Sequence, residues 1–377
     1  MRPKKLLKRM MKNLTEKLPN RIKIKIKMKN FEEMLVGEPA YRVKQIYQAW
    51  FEPGLLGYET ITTLPVSLRQ KLANEPWLTV EPLVIKKSKV DETQKALLKL
   101  ADGAKIETVL MRRINLRQDS EKEFRYTVCL STQVGCAMNC AFCATGKLGF
   151  NRNLSAKEIV DQFRFWQIKV RQESGGGIEN IVLMGQGEPL ANFDEVKKAI
   201  QIFIDYAKIG QTKITVSTVG IVSGLNKIIE DQDFPPVRVA ISLHSAIDET
   251  RTKLIPSHSV GFFDYLVSWA KKYHQKFSSR THFIGLEYIM LAEINDDARH
   301  LKALIKLASK MGLVRINLIS FNSSSLPDKK MILAGSPNET IKNWQQKIMQ
   351  AGLVCTIRNS QGTDIAAACG QLALQNK

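Results

Sequence analysis

The sequence lacks any long hydrophobic run. No segment approaches the roughly 18 consecutive apolar residues that a membrane-spanning helix needs, although hydrophobic residues make up 44% of the 377-residue chain. The amino-terminal segment also lacks the continuous apolar core of a secretory signal, and its three arginines and low serine content argue against a transit peptide. We therefore expect a soluble, cytoplasmic protein that does not associate with a membrane.

Acidic residues are few in comparison with basic ones. The chain has 36 Asp and Glu against 56 Lys and Arg, a formal net charge of +20. Residues 1–30 hold twelve of the basic residues and a single acid, Glu16, so this extension is either a solvated tail or an arm for nucleic acid. The remaining chain is also basic. This surplus indicates a polyanionic partner, and nucleic acid is the commonest one.

Hydrophobic periodicity predicts an α/β fold. Short alternating stretches flank a turn at Asp102-Gly103, and from residue 125 onward strands alternate with helices about six times, which indicates a parallel sheet wrapped by helices. Six units correspond to an incomplete (βα)6 barrel of the TIM type, with its chemistry at the carboxyl ends of the strands. The predicted segments are a basic extension 1–30, a small helical domain 31–80, a short connecting β-sheet 81–124 and a barrel domain 125–377.

The barrel elements are predicted individually from their patterns. The predicted strands are Tyr126–Ser131, Asn180–Met184, Lys213–Thr218, Arg238–Leu243, Gly285–Leu291 and Val314–Ser320, with a short last one at Val354–Arg358. The predicted helices are Ser155–Gln172, Asp194–Tyr206, Val222–Glu230, Phe263–Lys276, Asp296–Met311 and Asn338–Gln350.

Cysteine is scarce, yet four of the six cysteines lie within fifteen residues of one another. A chain of this size needs no disulfide staples, so clustered cysteines indicate a metal or redox site. Cys136, Cys140 and Cys143 follow a predicted strand, and three thiolates would leave one iron of a four-iron cluster open to a cofactor. Zinc and buried free thiols are the alternatives. Zinc is the minor one, because a structural zinc site needs four ligands and no histidine lies in this segment.

These cysteines carry a family resemblance. The spacing Cys136-x-x-x-Cys140-x-x-Cys143 resembles the signature of the radical S-adenosylmethionine (radical SAM) superfamily, and the larger stretch that begins at Cys129 resembles the RlmN/Cfr family of RNA adenine methyltransferases. Further motifs in the same order resemble that family. They are Met184–Leu190, Ser217–Gly220, Ser242–His244 and Asp364–Leu372. The resemblance runs from about residue 31 to the carboxyl terminus and implies a radical SAM barrel that holds a [4Fe–4S] cluster and S-adenosylmethionine.

The resemblance also implies residue roles. Cys369 would carry the methyl group as S-methylcysteine, Cys129 would resolve it through a transient disulfide, and Glu107 would accept a proton. The implied cluster ligands are Cys136, Cys140 and Cys143. The implied cofactor contacts are Gly187, Glu188, Ser217, Ser242, Leu243, His244 and Asn322. Taken singly, most of these residues would be ordinary buried thiols or polar loop residues, and Glu107 would be a charged residue on an exposed strand face.

The implied reaction is methylation of carbon 2 of adenine. An aromatic carbon is a poor nucleophile and a thiolate is a good one, so a cysteine that first takes up the methyl group meets a real chemical need. Pro189 favours carbon 2, because the branch that acts on carbon 8 tends to have alanine there. Gln186 departs from the methionine that the family usually has. The alternatives are a carbon-8 methyltransferase, another radical SAM enzyme that does not need the pair of Cys129 and Cys369, and a non-catalytic RNA-binding protein with a closed cluster.

The expected partner is RNA. The resemblance implies 23S ribosomal RNA, and some family members also act on transfer RNA. The helical domain with Tyr41, Arg42, Lys44 and Gln45 is the expected RNA-facing part, and a solvated amphipathic helix is the competing interpretation. An electron donor such as flavodoxin and a monomeric state complete the expectation.

Overall fold

The computed structural model describes residues 31, 33–115, 123–279, 281–323 and 332–374. Contacts divide the chain into two compact units, residues 1–40 and 41–377. The basic extension predicted over 1–30 lies outside the described residues. The described part of the first unit contains a short 3-10 turn at Glu33–Leu35.

Twelve β-strands are found in the described residues. They are β1 (Val80–Lys87), β2 (Gln94–Leu100), β3 (Lys105–Asn115), β4 (Glu123–Cys129), β5 (Gln133–Gly135), β6 (Phe150–Asn153), β7 (Ile178–Leu183), β8 (Ile214–Thr218), β9 (Arg238–Ser242), β10 (Ile284–Met290), β11 (Val314–Ser320) and β12 (Val354–Arg358). All of them except β5 and β6 form one sheet, in the order β1-β2-β3-β4-β7-β8-β9-β10-β11-β12.

Helices separate most of the barrel strands. The α-helices are α1 (Ala40–Phe51), α2 (Val66–Leu72), α3 (Ala144–Lys147), α4 (Ala156–Ser174), α5 (Phe193–Asp205), α6 (Val222–Glu230), α7 (Asp248–Leu254), α8 (Phe262–Lys276), α9 (Ala298–Lys310) and α10 (Asn338–Gln350). Further 3-10 turns lie at Tyr58–Thr60, Pro189–Asn192, Gln211–Lys213 and Thr363–Ile365. Within the described part of the chain, no helix combines the length and the apolar character that a membrane crossing requires.

The predicted incomplete α/β barrel is confirmed. Within the ten-stranded sheet, every neighbouring pair from β4 to β12 is parallel, whereas β1 to β4 pair antiparallel. The sheet has two free ends, β1 and β12, and therefore does not close into a complete barrel. The strands predicted as a connecting sheet continue the barrel sheet, because β3 pairs with β4.

Helix α4 joins the barrel to the helices that precede the sheet. Ser155 and Glu158 form a reciprocal capping box at its start, as the sequence predicts. Its Arg164 is buried and donates through Nε to the carbonyl of Trp50 at 3.0 Å and through Nη1 to the carbonyl of Trp77 at 2.7 Å. These bonds fix Trp50, near the end of α1, and Trp77, which follows α2, onto α4.

Candidate active site

The predicted site residues meet at the carboxyl ends of β7, β8 and β9. These strands are parallel neighbours, so the segments that follow them reach the same edge of the sheet. A cavity of about 140 Å³ lies there, which we call the cofactor cavity. The predicted residues that line it are Cys136, Cys140, Cys143, Gly187, Glu188, Ser217, Ser242, His244 and Cys369.

The cysteine loop is held between the two strands of a small hairpin. β5 pairs antiparallel with β6, and the amide of Cys136 donates to the carbonyl of Gly149 at 2.9 Å. Gly135 has a φ of +74°, and a Cβ atom there would lie 1.9 Å from the same carbonyl oxygen. Only glycine fits this close backbone approach. The short hairpin therefore fixes where the cysteine loop begins and ends.

The three thiols fit an iron–sulfur cluster better than a single metal ion. Burial raises the pKa of Cys136 to about 12, and it also raises the pKa of Cys140, to which the neighbouring Cys143 and Cys136 thiols add. A positive metal centre is what would ionise such thiols. No three His, Cys, Asp or Glu side chains in the described ranges are gathered around one ion position. A four-iron cluster takes each thiolate on a different iron, which suits thiols spread around one cavity.

Glu188 brings a buried negative charge to the cofactor cavity. Its carboxylate accepts hydrogen bonds from the amides of Leu190 at 2.9 Å and Val219 at 2.8 Å. Burial raises its pKa, and the donors from Thr218, Val219 and Leu190 oppose that rise. Among the described residues, the groups that donate to Glu188 are one hydroxyl group and two backbone amides, all of them neutral. The site is therefore suited to an ammonium group, which would supply the missing positive charge.

Two hydroxyl groups and a neutral imidazole complete the cofactor cavity. The Oγ atoms of Ser217 and Ser242 lie 3.4 Å apart. Nδ1 of His244 accepts from the amide of Ile289 at 3.0 Å, so the proton of the neutral ring lies on Nε2. Burial, and then the charge of Arg251, lower the pKa of His244 to about 3. The cavity thus offers hydrogen-bond donors from the two serines and from Nε2 of His244. Because this histidine is neutral, it adds no charge to that of Glu188.

Two predicted cofactor contacts do not line the cofactor cavity. The side chain of Leu243 is fully buried, and its carbonyl accepts from Nε of Arg251 at 3.1 Å. Asn322 lies just after β11 and donates from Nδ2 to Oγ of Ser360 at 2.8 Å. Their predicted roles stay predictions, and Leu243 would reach a cofactor only through its backbone.

Cys129 and Cys369 line a second cavity of about 100 Å³, which we call the thiol cavity. Cys129 ends β4 and lies directly opposite Val109 of β3, in an apolar cluster that includes Ala367 and Leu372. Cys369 is exposed, and it lines both cavities. Both thiols are free, so the predicted transient disulfide stays a prediction.

An ion pair between the buried Glu287 and the half-buried Arg358, which the sequence analysis did not identify, lies beside these thiols. Nη1 of Arg358 lies 3.0 Å from Oε2 of Glu287, and both side chains line the cofactor cavity. Burial raises the pKa of Cys129 to about 12 and also raises that of Cys369, and the charge of Arg358 opposes both shifts. A glutamate inside the otherwise apolar strand β10 was the signal available in the sequence.

Arg251 is a second residue that the sequence analysis missed. It lies in α7 and is 1% exposed. Its guanidinium donates to the carbonyls of Val219 at 2.6 Å, Leu243 at 3.1 Å and Ser242 at 3.3 Å. Val219 and Leu243 follow β8 and β9 directly, and Ser242 is the last residue of β9. Arg251 therefore fixes the backbone on which the cavity residues Ser242 and Val219 stand.

We expect Arg251→Met to lower the free energy of unfolding by about 3 kcal/mol, because it leaves buried carbonyl groups without their donor. Urea titration of the protein under anaerobic conditions measures this change. The matched control is Arg299→Met on α9, where the side chain is exposed and the expected change is below about 0.5 kcal/mol. Equal stability of the two variants would show that the bonds of Arg251 are not needed.

Comparison with known proteins agrees with this geometry. The family model of the radical SAM superfamily matches residues 130–305, which include the cysteine loop and β7 to β10. A probable dual-specificity RNA methyltransferase RlmN from Chlorobium phaeobacteroides is 39% identical over 351 residues, or 90% of each chain. The crystal structure of a radical SAM methyltransferase from Sphaerobacter thermophilus matches with a TM-score of 0.77 at 32% identity, covering 91% of this chain and 96% of that one.

Proposed function

Because this chain belongs to the RlmN/Cfr family of the radical SAM superfamily, we propose that it methylates carbon 2 of an adenine in RNA, with the methyl group carried on Cys369. The observation that supports this proposal is the position of Cys369, which lines both the cofactor cavity and the thiol cavity. A methyl carrier must reach the methyl donor on one side and a resolving thiol on the other. Cys369 has access to both.

The chain is a radical SAM methyltransferase, and its cofactors are a [4Fe–4S] cluster and S-adenosylmethionine. When bound, these cofactors supply a methyl group and a radical that can activate a carbon–hydrogen bond. Cys136, Cys140 and Cys143 are the residues that would hold the cluster. Glu188 would bind the ammonium group of S-adenosylmethionine, and the hydroxyl groups of Ser217 and Ser242 would bind its other polar groups.

Cys369 takes up the methyl group, and Cys129 releases the methylated product from Cys369. Cys369 would accept the methyl group as a thiolate. Once this S-methyl group has lost a hydrogen atom to the radical that the cofactor supplies, its carbon would bond to carbon 2 of adenine, and the ring would give up its proton and one electron, which the electron carrier takes up. Cys129 attacks the sulfur of Cys369, so a Cys129–Cys369 disulfide forms as the bond from sulfur to the one-carbon unit breaks. The electron pair of that bond stays on the product carbon, which takes up a proton. A reductant then restores both thiols, and an electron donor such as flavodoxin fits the need for electrons.

The choice of carbon 2 rests on Pro189. This proline is the first residue of the 3-10 turn that follows Glu188, and it is buried beside the cofactor cavity. The branch of the family that acts on carbon 8 tends to have alanine at this position. Gln186, the other departure in this motif, turns away from the cavity: its Oε1 accepts from the amide of Glu107 at 3.2 Å. Gln186 is not among the residues that line the cofactor cavity or the thiol cavity.

The positive net charge of the chain and the exposed face of α1 support RNA as the substrate. Tyr41 is 57% exposed, Lys44 is also exposed, and the guanidinium of Arg42 lies 5.7 Å from the centre of the Tyr41 ring. Basic and aromatic side chains on one face suit phosphates and unstacked bases. A base buried in folded RNA must leave its stack to reach Cys369, as base-modifying enzymes require. The proposed substrates are 23S ribosomal RNA and transfer RNA.

Mapping of methylated adenosine in cellular RNA tests this proposal. We expect 2-methyladenosine at defined sites in RNA from cells with this protein and its loss from RNA of cells without it, measured by mass spectrometry of digested 23S and transfer RNA. Loss of 8-methyladenosine instead would identify the carbon-8 reaction. Unchanged methylation of both RNA classes would contradict RNA methylation as the function.

A further inference from the structure

Two charged residues on neighbouring strands face the segment that carries Cys369. In the antiparallel pair of β2 and β3, Lys95 lies opposite Val109, and Glu107 lies opposite Leu97. Directly opposed residues share a face of the sheet, so all four lie on one face. Val109 of this face packs in the apolar cluster with Ala367 and Leu372. The segment around Cys369 therefore covers this face.

Lys95 and Glu107 form an ion pair with almost no access to solvent. Nζ of Lys95 lies 2.9 Å from Oε1 of Glu107, and their side chains are 5% and 1% exposed. Burying two charges is costly, so such a pair persists only where its other hydrogen-bonding positions are also filled. Here the backbone of the Cys369 segment supplies further hydrogen-bond partners to both charged groups.

The ion pair binds the Cys369 segment on both sides of the cysteine. Before it, the carbonyl of Ala366 accepts from Nζ of Lys95 at 3.0 Å. After it, Oε2 of Glu107 accepts from the amide of Ala373 at 2.7 Å and from that of Leu374 at 3.1 Å. Both oxygens of Glu107 are thus engaged, and Glu107 does not line the thiol cavity.

The segment has little structure of its own. Residues 366–374 form neither a helix nor a strand, and Ala366 adopts a φ of +52°, which side-chain-bearing residues rarely adopt. Two further backbone bonds join it to α3: the carbonyl of Gly370 accepts from the amide of Ala144 at 2.8 Å, and that of Leu372 accepts from Oγ1 of Thr145 at 2.9 Å. Its shape therefore depends on contacts with the sheet and with the cysteine loop.

We propose that Lys95 and Glu107 are positioning residues whose ion pair clamps the segment on both sides of Cys369, so that the thiol stays between the cofactor cavity and the thiol cavity. This rests on the proposed function in one respect, namely that Cys369 carries the methyl group. It gives Glu107 a task that precedes any proton transfer from RNA. It also assigns a role to Lys95. If Glu107 were only a proton acceptor, Lys95 would not be needed.

The test compares Lys95→Met, Glu107→Gln and the double variant Lys95→Met/Glu107→Gln, each as the full chain with its cluster reconstituted anaerobically. The double variant leaves no charge unpaired and so protects against misfolding. The control is Lys99→Met on the same strand, whose side chain is 46% exposed and pairs with Glu81 at the surface. Three quantities are measured: hydrogen exchange of the peptide that contains residues 366–374, the affinity for S-adenosylmethionine, and the rate at which Cys369 gains a methyl group.

In all three test variants we expect residues 366–374 to exchange about tenfold faster than in the unmodified chain, because each variant breaks the ion pair and removes at least part of its bonds to the backbone. Methylation of Cys369 at saturating S-adenosylmethionine should slow by a similar factor while the affinity for the cofactor stays the same. Lys99→Met should change none of the three. A general loss of stability would instead weaken cofactor binding as well.

Unchanged exchange in Lys95→Met and in the double variant would overturn the clamp. The clamp would also be overturned if Glu107→Gln methylated Cys369 at the normal rate but was blocked at a later step of the reaction. That result is expected if Glu107 acts only as a proton acceptor. A failure of the proposed function gives a different result: Cys369 of the unmodified chain would gain no methyl group, while the variants would still exchange faster.

Discussion

Replacing Cys369 with alanine should lower the rate of RNA methylation by a factor of about 10³ or more, because no other thiol can take over both of its contacts. Cys143, which also lines both cavities, belongs to the cysteine loop, and Cys129 lines only the thiol cavity. The iron content and the affinity for S-adenosylmethionine should stay unchanged, since the variant keeps Cys136, Cys140 and Cys143. Transfer of labelled methyl groups to RNA by the reconstituted protein measures the rate.

Two further cysteine variants make this result specific. Cys129→Ala should still allow Cys369 to gain a methyl group but should trap the protein on its RNA as a covalent complex, which mass spectrometry detects. Cys355→Ala should be close to the unmodified chain, because Cys355 is buried in β12 and lines neither cavity. RNA methylation at the normal rate by Cys369→Ala would rule out a methylated cysteine as the intermediate.

Local patterns were sufficient to predict most of the barrel. The bounds predicted for β11, β12, α6 and α10 are those observed, because each has a clear period and a marked end. The hairpin of β5 and β6 and the short helix α7 were missed. Each has only three to seven residues, so its period is too short to stand out. Pairing of β3 with β4, which joins the antiparallel strands to the barrel, follows from contacts that periodicity does not encode.

The candidate site could also be predicted only in part from the sequence. The cysteine loop and the turn at Glu188 are continuous motifs, so their residues could be named from sequence, and the structure brings them to one cavity. Arg251, Arg358 and Lys95 could not be named, because their significance lies in partners far along the chain. Lys95, for example, binds the carbonyl of a residue 271 positions later. A buried charge acquires its role from the groups that satisfy it, and only the folded chain shows which groups these are.

Gly187→Ala is expected to weaken binding of S-adenosylmethionine by a factor of about 100, equivalent to about 2.7 kcal/mol. Gly187 has a φ of +104°, and a Cβ atom there would lie 2.6 Å from Cβ and 2.7 Å from the backbone nitrogen of Gln133. Neither group can yield easily, because the amide of Gln133 donates to the carbonyl of Gln186 at 3.2 Å and its Oε1 accepts from the amide of Glu188 at 2.9 Å. Relief of the clash must therefore displace Glu188.

Equilibrium dialysis with the anaerobically reconstituted protein measures this loss. Gly210→Ala is the matched control, because its nearest atom, Cγ of Lys213, would lie 3.6 Å from the new Cβ and its φ of −61° suits alanine. Iron content should be unchanged in both variants, since neither alters a thiol. If Gly187→Ala kept iron and bound S-adenosylmethionine normally, the turn at Glu188 would not be its binding site. Loss of iron and cofactor together would instead show that this turn also supports the cysteine loop, with which it is joined through Gln133 at the start of β5.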